Sequence, residues 1–193
     1  ATAYNVSSKD QIQESDLAYG LPVWVLHVDT TGGFYFVQSY NYRGWVDATA
    51  IATTTSYKDW IEFADPAIRG DVVVTTARTV TINSQTAEMG VAFQHVSTSG
   101  STYTIKVPTR SSAGALGSAN ATVTSANASL GYLPYTWNNY VTQAFKYIGT
   151  AYSWGGADAG RVDCSGFACN VLRTFGLKIM RNTSTQNGTG YTT

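Results

Sequence analysis

Residues 151–176 read AYSWGGADAGRVDCSGFACNVLRTFG. Two glycines and a polar turn lead into Asp163-Cys164-Ser165-Gly166. Apolar residues then recur at Phe167, Ala168, Val171, Leu172 and Phe175, the spacing of one helix face, and Gly176 supplies a stop. The spacing predicts a helix that starts near Cys164, with Asp163 as its N-cap. A cysteine in the first turn lies near the positive end of the helix dipole and near unpaired backbone N–H groups, which favour thiolate over thiol. Its own N–H is placed to help hold an oxyanion. The same place also suits a buried structural cysteine, so the surroundings must decide.

The chain has two cysteines, Cys164 and Cys169. That is too few for a disulfide scaffold or for a zinc site of four N or S ligands. Residues five apart on a helix point to different sides, which argues against a local bridge. We expect one chemical thiol and one buried small hydrophobe.

Immediately upstream, TWNNYVTQAFKYIG places apolar residues at Trp137, Tyr140, Val141, Ala144, Phe145 and Ile148. This is an amphipathic helix pattern, with Thr136 as N-cap and Gly149 as stop. Further upstream the texture is β-rich. LPVWVLHV, FYFVQSY and WVDATAIA are short β-branched or aromatic runs separated by the turns DTTGG and NYRG. YKDWIEFAD (57–65) reads as a short helical connector before Pro66. GDVVVTTARTVTIN, GVAFQHV and TYTIKVP then form a second β-rich block. The stretch from Ser111 to Pro134 is small and polar and reads as loops, with one strand around Ala121 to Thr124. Boundaries near Pro66 and Pro134 divide the chain into 1–65, 66–134 and 135–193.

Composition limits the function classes. The 193 residues carry 12 Lys plus Arg and 12 Asp plus Glu, a formal net charge of zero. Charged residues make up 12% of the chain, against about 25% in typical globular domains. A neutral chain supplies no steering field for nucleic acid or an anionic membrane. The longest uncharged stretch, Ser111 to Phe145, is too polar to span a bilayer, and no apolar run reaches membrane-spanning length. With 44% hydrophobic residues, five Trp, thirteen Tyr and seven Phe, the chain is not disordered.

The order Tyr152-Ser153-Trp154-Gly155-Gly156, Asp163-Cys164-Ser165-Gly166, then Met180-Arg181-Asn182-Thr183-Ser184-Thr185-Gln186 resembles the NlpC-type cell-wall peptidases, a papain-like cysteine peptidase family. The family pattern is Y-x-W-G-G, D-C-S-G and P-R-x-S/T-x-x-Q; Met180 stands where Pro is usual. The resemblance covers residues 135–186. The β-rich front resembles the paired bacterial SH3-like barrels found before such domains. The resemblance implies an α+β chain of two small SH3-like β-barrels (1–65 and 66–134) followed by the helical, nucleophile-bearing half of a papain-like domain (135–193). It implies hydrolysis of peptidoglycan stem peptides between γ-D-glutamate and a diamino acid. Cys164 is then the nucleophile, Tyr152 places its hydroxyl near the oxyanion, and Asp163, Ser165 and Trp154 bind substrate. Arg181 and Gln186 brace the site. Tyr40, Tyr42 and Trp45 are candidates for the cleft wall. No metal or cofactor is implied, and the location is the secreted or cell-envelope space of a bacterium.

A cysteine peptidase needs a base for the thiol proton. In the resembled family this is a histidine that follows the cysteine. Here the two histidines, His27 and His95, both precede Cys164 and read as ordinary strand residues. After Gln186, NGTGYTT shows no strand pattern. The expectation is therefore a chain that lacks the general base, with the rest of the peptidase domain as a separate piece covering the helices. The competing expectation is a non-catalytic wall-binding module on the same scaffold.

Overall fold

The computed structural model describes residues 5–6, 9–10, 13–156 and 160–188. The remaining residues of the expected first barrel and the tail 189–193 lie outside the described residues.

The elements follow the texture of the sequence. Strands β1 (Asn5–Val6) and β2 (Lys9–Asp10) pair antiparallel. β3 (Trp24–Val28), β4 (Phe34–Gln38) and β5 (Arg43–Asp47) form an antiparallel meander, in the order β3-β4-β5. The DTTGG turn between β3 and β4 is closed by Asp29, whose carboxylate accepts N–H bonds from Thr31 and Phe34. α1 (Tyr57–Ala64) fills the expected connector, with the Ser56 hydroxyl capping the Asp59 N–H.

The run GDVVVTTARTVTIN divides into two strands, β6 (Val72–Thr75) and β7 (Thr79–Ile82). β7 pairs with β8 (Gln85–Glu88) through a two-residue turn in which Asn83 and Ser84 both have positive φ, 50° and 63°. That geometry matches the twist of a tight hairpin. β9 (Ala92–Ser99), β10 (Thr102–Arg110), β11 (Leu116–Thr124) and β12 (Ala128–Leu130) complete a five-stranded sheet in the order β11-β10-β9-β6-β12.

β11 contains the strand expected around Ala121 to Thr124 but begins at Leu116, within the stretch expected as loop. It pairs with β10 from Thr102↔Thr124 to Arg110↔Leu116 without a break. Its Ser, Asn, Ala and Thr residues are poor strand formers by local preference. A complete ladder of backbone bonds to β10 and one buried anchor, Val123, override that preference.

α2 (Trp137–Phe145), β13 (Ala151–Tyr152), β14 (Arg161–Val162), α3 (Cys164–Arg173) and α4 (Thr183–Gln186) follow. The expected caps are both made: Thr136 Oγ1 accepts from Asn139 N–H, and Asp163 Oδ1 accepts from Gly166 N–H. The expected apolar face of α2 is split. Tyr140 and Ala144 pack on the core, whereas Trp137, Phe145 and Ile148 face solvent.

By contact density the chain forms two units. One comprises residues 20–73 and 92–131; its core includes Val73, Phe93, Ile105, Val107 and Val123. The other comprises residues 1–19, 74–91 and 132–193 and carries α2, α3 and α4. Its core is Met89, Tyr147, Val162, Val171 and Phe175, flanked by Leu133, Tyr140, Ala144 and Phe167.

Met89 belongs to the turn after β8, and this turn lies directly on α3. Gly90 has φ +83°, and a Cβ there would sit 2.5 Å from Arg173 Cβ and 2.7 Å from the Asn170 carbonyl oxygen. Arg173 Nη2 donates to the Met89 carbonyl at 3.2 Å. We predict that Gly90→Ala destabilises the chain by about 2–3 kcal/mol, through overpacking and a left-handed backbone. Urea unfolding read by tryptophan fluorescence measures it.

Candidate active site

The site is built at the first turn of α3. Asp163 is extended (φ −92°, ψ 179°) and its side chain folds back to cap Gly166 N–H at 2.7 Å. This turn leaves Cys164 exposed, while Ser165 and Gly166 are buried. Cys169, one turn and a half along, is buried at 4% exposure, with its Sγ 3.5 Å from the Met180 carbonyl oxygen. Burial pushes the Cys169 thiol up, out of the reactive range. The two thiols thus separate as expected: one open to solvent and one structural.

Behind Cys164 lies a buried ion pair. Arg181, 4% exposed, donates from Nη1 to Asp163 Oδ1 at 3.0 Å and from Nη2 to Asp163 Oδ2 at 2.9 Å. Nη1 also reaches Ser165 Oγ at 2.8 Å. Nη2 reaches the carbonyls of Gly155 and Gly156, and Nε donates to Ser15 Oγ at 3.0 Å. Asp163 in turn accepts from Gly155 N–H at 3.1 Å and from Ser165 Oγ at 3.2 Å. Both carboxylate oxygens and all three guanidinium nitrogens are therefore engaged. Burial alone would raise the Asp163 carboxyl; hydrogen bonds from Arg181 and Gly166 and the guanidinium charge outweigh it, and the net shift is downward.

The Tyr-x-Trp-Gly-Gly segment reaches the same place by a second route. β13 and β14 pair in parallel, with Tyr152 opposite Val162. Since Val162 directly precedes Asp163 and Cys164, the pairing brings Tyr152 beside the first turn of α3. The turn after β13 closes through Gly156 N–H to the Ser153 carbonyl at 3.0 Å and Asp163 N–H to the Gly156 carbonyl at 2.9 Å. Gly155 has φ +73°, and a Cβ there would run into the Gln13 carbonyl, so glycine is required. The Tyr152 hydroxyl is raised from its ordinary value, first by desolvation and then by the electrostatic influence of Cys164 and Asp163.

Of the residues singled out from the sequence, Cys164, Tyr152 and Trp154 are exposed, whereas Asp163 and Ser165 are buried and turned toward Arg181. Two further participants were given no role by the sequence reading. Thr183 Oγ1 lies 3.4 Å from Cys164 Sγ, and Ser15 holds Arg181 from the start of the chain. Arg181 itself, read as a brace, is the most connected side chain of the site. Its scarcity value was the available signal: charged residues are few here, and this one sits in a run of small polar residues. His27 lies in β3 and His95 in β9, and the unit that carries Cys164 contains no histidine in its sequence.

Residues 149–193 match the NlpC/P60 family. That match takes in less than a quarter of the chain. Residues 9–47, which include β3, β4 and β5, match an SH3 domain of the SH3b1 type. The stretch matched at 149–193 holds Tyr152, Asp163, Cys164, Arg181 and Thr183. In structure the chain is similar to an NlpC/P60 endopeptidase from Photobacterium damselae subsp. piscicida, with a TM-score of 0.74 and 25% identity. That match covers 92% of this chain and 38% of the other. The chain also shares its fold with an NlpC/P60 family protein from Bacillus cereus ATCC 10987, with a TM-score of 0.66, 17% identity and coverage of 87% and 57%. The chain thus spans well under two thirds of the length of either structure. No curated protein matches it. The architecture is mixed α+β with an SH3-like β region, domain types at home on cell walls, and no helix among the described residues is long and apolar enough to cross a membrane.

The ion pair predicts a pH dependence. The Asp163 carboxyl is held below its unfolded value of about 3.9, so it stabilises the fold fully above that pH and progressively less as pH falls through it. Urea midpoints measured from pH 7 to pH 2 should fall in that window. Asp163→Asn should flatten part of that fall while costing about 3–5 kcal/mol at pH 7, because it leaves the Arg181 charge buried without a counter-charge.

Proposed function

We propose that the protein is a cysteine endopeptidase acting on bacterial peptidoglycan stem peptides, at the bond between γ-D-glutamate and the diamino acid. The supporting observation is the exposed Cys164 thiol at the start of α3, in an NlpC/P60 segment, backed by the Asp163–Arg181 pair. In this reading Cys164 Sγ attacks the γ-carbonyl carbon and forms an S–C bond. The C–N bond then breaks, the amine leaves with a proton, and water hydrolyses the resulting thioester. The Cys164 backbone N–H and the Tyr152 hydroxyl stabilise the oxyanion. Tyr152 keeps its proton for this role, because its neighbours disfavour the phenolate. Trp154 offers an exposed ring to the peptide.

Asp163 and Ser165 are proposed to serve the substrate by fixing the first turn of α3, since their polar atoms are engaged with Arg181. The reading calls for a general base that receives the thiol proton. The remaining organisation is proposed as the sequence suggests: SH3-like barrels at 1–65 and 66–134, a peptidase part at 135–193, and a route of secretion to the cell envelope. One observation favours a second reading, a wall-binding module on the same scaffold: the SH3-type match at residues 9–47.

Incubation with stem peptides, followed by mass spectrometry, separates the two readings. Hydrolysis is expected to give products ending in γ-D-glutamate, and Cys164→Ala to lower the rate by more than about a thousandfold. Products from another bond, or hydrolysis that survives Cys164→Ala, would overturn the proposal. Retention on purified cell walls without hydrolysis would favour the binding module.

A further inference from the structure

The segment from Met180 to Gln186 has a geometry that its role as a brace leaves unexplained. Arg181 binds the first turn of α3 through Asp163 and Ser165. Five residues on, Gln186 Nε2 donates to the Ser165 carbonyl at 3.3 Å, to the Met180 carbonyl at 2.7 Å and toward Cys169 Sγ at 3.6 Å. Both clamps grip residues that flank Cys164 on the helix. Between them, at the first residue of α4, is Thr183, whose Oγ1 lies 3.4 Å from Cys164 Sγ. The two other hydroxyls of α4 take no such position. Thr185 Oγ1 donates back to the Asn182 carbonyl within its own turn, and Ser184 is exposed.

We propose that Thr183 is a further catalytic residue of the site: its hydroxyl holds the Cys164 sulfur in the attacking orientation, and Arg181 and Gln186 are positioning residues that aim it. This inference rests on the reading of Cys164 as nucleophile. A hydroxyl suits both states of the sulfur. It accepts from S–H in the thiol and donates to S⁻ in the thiolate, so it holds one side-chain orientation through deprotonation. A β-branched residue at this position adds a stiff χ1, which keeps the hydroxyl aimed while the side chain stays exposed. The spacing of the Arg-Asn-Thr-Ser-Thr-Gln run follows from this, with one anchor two residues before the threonine and the other three residues after it.

The experiment is the alkylation rate of Cys164 by iodoacetamide at fixed neutral pH, followed by peptide mass spectrometry on the full chain. Buried Cys169 in the same molecule is the internal reporter of unfolding, and glutathione is the external reference. Wild-type Cys164 is expected to react faster than glutathione. Thr183→Val, which keeps the shape and removes the hydroxyl, is expected to slow Cys164 about tenfold, the equivalent of one hydrogen bond to a charged partner. Thr183→Ser should recover most of that loss, and Ser184→Ala should leave the rate unchanged. If Thr183→Val exposes Cys169, Thr183→Ala replaces it as the test variant. A Cys164 rate within about twofold of wild type in the folded hydroxyl-free variant would overturn the role of Thr183. Wild-type Cys164 reacting no faster than glutathione would instead overturn the nucleophile reading on which the inference rests.

Discussion

The Arg181–Asp163 pair is the contact through which every other part of the site is placed. Removing two charges from water costs several kcal/mol per ion, and their attraction offsets this only if the remaining donors and acceptors are also satisfied. Here they are. Ser15, Ser165 and the Gly155 and Gly156 carbonyls take up the guanidinium, while Gly155 and Gly166 N–H groups complete the carboxylate. These partners come from three pieces of the site: the early segment, the Gly-Gly turn and the first turn of α3. A planar fork of fixed donors can hold them together; a lysine, with one mobile ammonium, cannot meet the same geometry. The pair is thus a joint, and the thiol is exposed on its outer side.

This divides the labour between buried and exposed residues. Asp163, Ser165 and Arg181 are inside and fully bonded, whereas Cys164, Tyr152 and Thr183 face outward. Neighbours in sequence therefore do opposite jobs, because the first turn of a helix sends consecutive side chains in different directions. The short parallel pairing of β13 with β14 brings Tyr152 to the thiol without any long-range packing, using the two residues that precede Asp163.

What was legible in the sequence was what is decided locally. The α2 and α3 helices and their Thr136 and Asp163 caps depend on residues within one turn, and both formed as read. The short helix at 57–64 followed for the same reason. Only the end of β11, around Ala121 to Thr124, was legible, because the small polar residues before it acquire strand geometry only from the ladder offered by β10. The buried side of α2 was only half legible. Periodicity finds apolar stripes, but Tyr147 and the packing of α3 select which stripe turns inward. Arg181 shows the limit most clearly. Its type and place were visible, but partners 166 and 26 residues earlier in the chain determine that it is buried.

The way the two units share the chain has a consequence for how such a protein could arise or be dissected. Residues 74–91, with the hairpin of β7 and β8, belong to the unit of α3, yet they are inserted between segments of the other unit, and the crossing into them falls inside strand β6. Neither unit is a continuous stretch of sequence. No single cleavage can release one intact from the other, and a gene fusion that joined two finished domains end to end would not produce this interleaving. The helix that bears Cys164 therefore depends, through Met89 and Gly90, on a hairpin that lies far from it in sequence, and a cut on either side of that hairpin would remove part of its support.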